Sequence, residues 1–190
     1  LWQIADSVRF IKSGVGRIEN LEREKARLLV ETQDLARLRQ LHDVAAGRVV
    51  GRGGDEILVD QGQGEGVEVG MVTGTAEKIL VGRVVARGRW MSRVRLLSAP
   101  DEVVAVTVSG AGGVVKGSGG DKLWLDQVLQ GVALEAGAGV ISSGGDGVYP
   151  GGWLVGTVGE VVTGGGEVYQ RAEIKRAFAG RYGDMVVIGD

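Results

Sequence analysis

Between residues 140 and 162 the chain runs from the β-branched pair Val140-Ile141 through turn chemistry, Ser142 to Gly147, to Tyr149-Pro150-Gly151-Gly152 and the apolar stretch that Trp153 opens. Strand, glycine turn and strand in that order form a β-hairpin-like connection. Glycines that cradle a phosphate would open a helix, with a lysine in the P-loop case, whereas these lead into Val155, Val158 and Val161. Nucleotide binding is therefore disfavoured.

The same segment closes one half of an imperfect internal duplication. Gly53-Gly-Asp-Glu-Ile-Leu-Val-Asp-Gln61 recurs as Gly119-Gly-Asp-Lys-Leu-Trp-Leu-Asp-Gln127, and Leu80-Val-Gly-Arg-Val84 as Leu154-Val-Gly-Thr-Val158. Either two related β modules follow one another, or a chain rich in Gly and Val matches itself by chance. The 35 glycines among 190 residues are roughly 18%, against an average near 7%, without a collagen period. Tight turns between short valine-rich runs after Gly47 explain them, and such runs build small barrels or sandwiches. The expected fold is mainly β, with two small barrel or sandwich modules in tandem, 47–109 and 110–190. Pairing of the last strand back to the first module stays open. At about 60 to 80 residues each, the modules are small enough to need one another's surface.

Residues 1–46 are a different kind of polymer. Ile4, Val8, Ile11, Val15 and Ile18 are separated by gaps of 4, 3, 4 and 3, the seam spacing of a coiled coil. Leu21 follows after a stammer, and Leu28 and Leu35 continue at heptad intervals. A helix to about Ala45 would be roughly 65 Å long, too long to bury its stripe on one small module. A parallel dimer through this seam is the expectation, and one amphipathic helix folded back on the β body is the bland alternative. Gly47 reads as the helix stop.

Formal charge of −2 argues against a general nucleic-acid binder. The chain has no cysteine, which removes disulfides and thiolate metal sites. No apolar run of about 18 residues is present to span a membrane. Little here suggests catalysis. The one histidine, His42, falls in the helical segment, away from Ser142, Ser143 and Asp146, where a triad would need it. Asp60 and Asp126, at equivalent repeat positions, read as a paired-carboxylate site or, more simply, as turn carboxylates capping N–H groups. Asp146 sits in a glycine turn, and its loss should cost about 1 kcal/mol in local hydrogen bonding.

Arg83, Arg87, Arg89, Arg93 and Arg95 occur with Trp90 and no acidic residue among them. Arginine and tryptophan dominate interface energetics, so Arg87, Arg89, Trp90 and Arg93 are candidate partner-binding residues, for an acidic protein surface or anionic headgroups. A solvated strand face with Trp90 over a core edge is the alternative. Tyr149 and Trp153 carry the same ambiguity, between filling a barrel mouth and anchoring a partner. Ile57 to Val59, or Val103 to Val108, would accept a partner strand if either lay at a barrel edge.

Taken in order, the seam, Gly47-Arg-Val-Val50, Ile57-Leu-Val-Asp-Gln-Gly62, Gly66-Val-Glu-Val-Gly-Met71, Leu80-Val-Gly-Arg-Val84, Ser92-Arg-Val-Arg-Leu-Leu97 and residues 140–158 resemble the rod-shape-determining MreC family over essentially the whole chain. The strongest piece is Ser142-Ser-Gly-Gly-Asp-Gly-Val-Tyr-Pro-Gly-Gly-Trp-Leu-Val-Gly156. The resemblance implies a periplasmic coiled-coil homodimer carrying two small β-barrels, anchored to the inner membrane by a helix upstream of Leu1. It implies a scaffold without catalytic activity, cofactor or metal, and allows higher-order assembly. Implied partners are MreD, the elongation-specific penicillin-binding transpeptidase, RodA and, indirectly, MreB. The family's barrels are similar to those of chymotrypsin-like proteases, a likeness of architecture alone. A periplasmic membrane-fusion adaptor of an efflux or secretion system is the rival reading. Its helices normally form a hairpin with β sequence on both sides, whereas here one helix precedes all the β sequence.

Overall fold

The computed structural model describes residues 45–162 and 168–189. The seam positions Ile4 to Leu35 and His42 lie outside them, and so does the dimer expected from that seam. The described chain forms twelve strands: β1 (Ala45–Gly53), β2 (Glu56–Val59), β3 (Val72–Gly74), β4 (Leu80–Arg87), β5 (Ser92–Leu96), β6 (Val103–Val108), β7 (Ala111–Gly117), β8 (Leu123–Leu129), β9 (Gly139–Ser142), β10 (Leu154–Val162), β11 (Tyr169–Arg176) and β12 (Met185–Gly189).

Two closed six-stranded barrels result, ordered β1-β12-β3-β4-β5-β2 and β10-β11-β8-β7-β6-β9. Every ladder between named strands is antiparallel. Period-2 alternation sets which face each strand buries. Val104, Val106 and Val108 of β6 point inward, as do Ile57 and Val59 of β2 and Val186 and Ile188 of β12. Gln170 is the polar exception on β11, and its amide donates to the carbonyls of Leu129 (3.1 Å) and Val132 (2.7 Å). One apolar core fills the first barrel around Val49, Val84 and Val94. The second barrel's core also takes in Val72, Leu80 and Leu97 from the first, so the modules share apolar surface.

Written from β7, the second barrel reads β7-β6-β9-β10-β11-β8, which is the first barrel's cyclic order with β1 to β5 replaced by β7 to β11 and β12 by β6. The registers agree as well. Thr73↔Gly82 and Gly82↔Leu96 in the first barrel match Val140↔Gly156 and Gly156↔Arg176 in the second. Ile57↔Val94 likewise matches Leu123↔Ile174. The repeated Val-Gly is explained by this frame, because a Cβ at Gly82 would strike the Arg95 carbonyl oxygen and one at Gly156 the Lys175 carbonyl oxygen. Glycine is the residue that lets backbone approach backbone so closely.

Three boundaries differ from the sequence expectation. Strand β1 begins at Ala45, so Gly47 lies inside a strand, where a side chain would collide with Val59 and Gln61, rather than stopping a helix. The modules divide between Leu96 and Val103 instead of at 109/110. Val108 pairs with Ala111 across Ser109 and Gly110, with φ of 48° and 79°, so this is a two-residue turn with both central residues at positive φ, the geometry that suits a hairpin. Third, Ile57 to Val59 is paired on both sides, and Val103 to Val108 pairs with β7 throughout and with β9 over Val106 to Val108, while Ala105 is bonded on that side by Asp146 and Ser143 of the following loop. Neither offers the free edge that strand addition requires.

Candidate interaction surface

The loop from Ser142 to Trp153 holds the residues that most resemble catalytic ones, and its geometry assigns them to structure. Ser142 is buried; its hydroxyl donates to the Pro150 carbonyl (2.5 Å) and accepts from the Trp153 N–H (3.0 Å). The Ser143 hydroxyl accepts from the Gly145 N–H (3.2 Å). Asp146 Oδ1 accepts from the N–H groups of Val148 and Tyr149 (both 2.9 Å), and Oδ2 from that of Ala105 on β6 (2.8 Å). Burial pushes this carboxyl's pKa up, but the Tyr149, Ala105 and Val148 amides outweigh it and hold it below the ordinary value. The carboxylate therefore ties the loop to the barrel wall as well as closing a turn.

Tyr149 is 2% exposed, which corrects its assignment as a surface anchor. Its hydroxyl donates to Glu102 Oε2 (2.6 Å), and Arg83 Nε donates to both oxygens of the same carboxylate (2.9 and 3.2 Å). Glu102 is itself only 3% exposed. Burial, reinforced by the hydrogen bond to Glu102, pushes the Tyr149 phenol far up. For Arg83, burial alone would lower the pKa, but attraction to Glu102 raises it. The three side chains join β4 of the first barrel to the second. Trp153 is half-buried, packs against the second barrel's core and lies over Gly74 of β3, where a side chain would clash with its ring. Beside it, the Leu154 N–H donates to the Lys78 carbonyl (2.8 Å), and Ile79 and Leu154 form a parallel bridge between the barrels.

The duplicated Gly-Gly-Asp turns meet at this junction. Asp55 accepts from the Ser98 hydroxyl (2.8 Å) and from the N–H groups of Gly120 (3.4 Å) and Asp121 (3.5 Å). Asp121 in turn pairs with Arg52 of the first barrel and with Arg176 (2.6 Å). Asp60 and Asp126 are not brought together. Asp60 accepts from the Arg48 N–H (2.5 Å), and Asp126 pairs with Lys116 (3.5 Å) and Arg171 (3.1 Å), with Arg171 stacked on Trp124 at 4.4 Å.

Arg87, Arg89, Trp90 and Arg93 share the β4–β5 hairpin; Tyr149 and Trp153 do not join them. The arginine run lacks acidic residues in sequence, yet other segments supply them. Arg83 pairs with Glu102 (2.9 Å), Arg87 with Glu68 (2.9 Å), and Arg93 and Arg95 share Glu56 (3.6 and 3.7 Å). Arg89 alone of the five lacks a carboxylate partner among the described residues, and it stacks on Trp90 at 4.9 Å. Trp90 is 63% exposed and Met91, which the sequence reading passed over, 47%. The turn below them is braced by backbone contacts. Gln63 and Gly64 donate to the carbonyls of Gly88 (2.9 Å) and Arg89 (3.1 Å), and a side chain at Gly62 would collide with the turn's backbone.

A second apolar group went unrecognised in sequence. Leu129, Val162, Val168 and Tyr169 are all exposed on the second barrel, with Leu129 and Tyr169 directly paired across β8 and β11. The signal was Val168-Tyr169, one residue after glycines 164 to 166. Among the described residues no three His, Cys, Asp or Glu side chains converge as a metal site, and no helix is long and apolar enough to cross a membrane.

The family profile described as "Rod shape-determining protein MreC, barrel core" matches residues 46–188. The cell shape-determining protein MreC of Listeria monocytogenes is 29% identical over 182 residues, covering 87% of this chain and 61% of that protein, so the chain spans about three fifths of that relative's length. Among solved structures, MreC from Pseudomonas aeruginosa superposes with a TM-score of 0.69 at 26% identity, over 77% of this chain and 99% of that one. MreC from Listeria monocytogenes gives 0.66 at 27% identity, over 94% and 92%. An MreC solved in complex with penicillin-binding protein PBP2 from Helicobacter pylori gives 0.55 at 15% identity, over 77% and 98%, a likeness of fold.

Proposed function

The chain belongs to the MreC family of rod shape-determining proteins, and on that premise we propose that it is a non-catalytic scaffold that docks the elongation-specific penicillin-binding transpeptidase through the Trp90 tip of its first barrel. The observation that carries this reading is the tip itself, an exposed Trp-Met pair held on a turn braced by Gly62, Gln63 and Gly64. A rigid aromatic loses little conformational freedom on binding, which is why such residues make hot spots. Arg89 adds the hairpin arginine that no carboxylate engages among the described residues, and Arg87 and Arg93 tune the association rate in a salt-dependent way. The Helicobacter pylori complex gives the partner class a precedent within the fold.

The same reading makes the protein periplasmic, anchored in the inner membrane by a segment before Leu1 and dimerised through Ile4, Val8, Ile11, Val15, Ile18, Leu21, Leu28 and Leu35. It assembles with MreD and RodA, and indirectly with MreB. Calorimetric titration against the periplasmic part of the transpeptidase tests the docking. Trp90→Ala should weaken binding by about 2 kcal/mol, roughly thirtyfold, while a charge-reversed Arg87/Arg89/Arg93 variant changes mainly the salt dependence. Parent-like affinity in both variants would place the docking face elsewhere.

A further inference from the structure

Closure of the first barrel depends on a strand that the rest of that barrel does not carry with it. All five other strands lie between Ala45 and Leu96, and the sixth, β12, arrives only after the whole of the second barrel. We infer that β12 is an exchangeable closing strand, and that the slot between β1 and β3 also accepts β12 from a second copy of this chain.

The slot's chemistry is that of a strand receptor. Ala45, Ala46, Gly47 and Arg48 pair with Ile188, Val187, Val186 and Met185 on one side, and Val72, Thr73 and Gly74 with Gly189, Ile188 and Val187 on the other. Backbone pairing supplies the affinity, and the inward Val186 and Ile188, both buried, supply the selectivity. Released β12 leaves two open edges, and a second β12 restores every one of those bonds, so exchange alters little beyond association entropy. The second barrel shows by contrast what local closure looks like. There β6 fills the corresponding place and is joined to β7 by the two-residue Ser109–Gly110 turn, too short to let it leave alone.

The tether to β12 permits departure. Residues 177–184 include Gly180 and Gly183 at positive φ and Tyr182 at 83% exposure. Its fixed points are the Ala177 N–H on the Val155 carbonyl (3.2 Å), Phe178 packed against the first barrel's core, Arg52 donating to the Ala179 carbonyl (2.5 Å), and Gly183 and Asp184 exchanging backbone hydrogen bonds with Val49 (2.8 and 2.9 Å), and release of β12 has to break the last three of these.

Two measurements on the full chain test the inference. First, a labelled peptide of residues 181–190 is incubated with the unsubstituted protein. Saturable uptake is expected, with loss of uptake for a peptide carrying Val186→Asp and Ile188→Asp; no uptake, or equal uptake of both peptides, overturns the proposal. Second, the chain has no cysteine, so Ala46→Cys and Val187→Cys, cross-strand partners on the barrel's outer side, report on copies alone. Mixing the two single variants under oxidation should produce a disulfide-linked heterodimer in excess over either homodimer, and the double variant an intramolecular bond that blocks peptide uptake until reduced. Peptide uptake without excess heterodimer, where the double variant closes normally, shows that a second copy does not enter the slot and overturns the exchange.

Discussion

The second barrel is built from strands that follow one another along the chain, β6 through β11, whereas the first waits for β12 from the far side of its neighbour. Cyclic order is otherwise the same, and so is the register of the ladders that meet at Gly82 and Gly156. Two copies of one fold therefore differ in where their closing strand sits in sequence. The contiguous copy can complete itself by local pairing, and the split copy must close a loop through another module, which is the slower and more entropically costly connection. Their joint surface, with Glu102, Asp55 and Asp121 at its polar centre, is then what keeps the split barrel registered on the contiguous one.

The largest expected effect breaks this comparison at its closing strands. Val106→Asp and Val186→Asp each put an unpaired carboxylate at a fully buried position, costing about 3 kcal/mol or more. Val106→Asp should lose both barrels, because the first leans on the second's core. Val186→Asp should lose protection in β1 to β5 while the second barrel stays folded, as hydrogen exchange followed by proteolysis would show. Equal loss of both barrels in the two variants would erase the distinction.

Asp146→Ala comes next. Removing one acceptor orphans the N–H of Ala105 as well as those of Val148 and Tyr149, so the cost should be about 2 kcal/mol rather than that of a local turn alone. Because Asp146's folded pKa is depressed, its contribution is complete above the ordinary carboxylate range. It is lost as pH falls through the depressed folded value. Urea unfolding of the parent and Asp146→Asn should therefore converge as pH drops below about 4.

Tyr149→Phe should cost about 1 kcal/mol by leaving Glu102 one donor short, without changing the fold. The smallest effect belongs to Trp90→Ala, whose side chain is largely in water. Stability should stay within about 0.5 kcal/mol of the parent, so any loss of transpeptidase binding is attributable to the surface.

The duplication was legible because Gly-Gly-Asp precedes both β2 and β8, Asp-Gln recurs just after β2 and within β8, and Val-Gly marks the points on β4 and β10 where backbone meets backbone. Its boundary was not, since Ser109-Gly110 has the composition of a linker and the geometry of a hairpin turn. The arginine run was visible, but its neutralisation was not, because Glu56, Glu68 and Glu102 come from other segments. Tyr149 failed as a surface anchor for the same reason: its partner lies 47 positions away in sequence. Alternation along a strand can be read from one segment, whereas pairing across a barrel cannot.

Residue-resolved hydrogen exchange on the full chain tests most directly whether closure divides the two barrels. The amides of β1, β3 and β12 should exchange together, through an opening of lower free energy than that of β6 to β11. Protection of β12 equal to that of β6 would contradict the account, because the first barrel's closing strand would then be as firmly held as the second's.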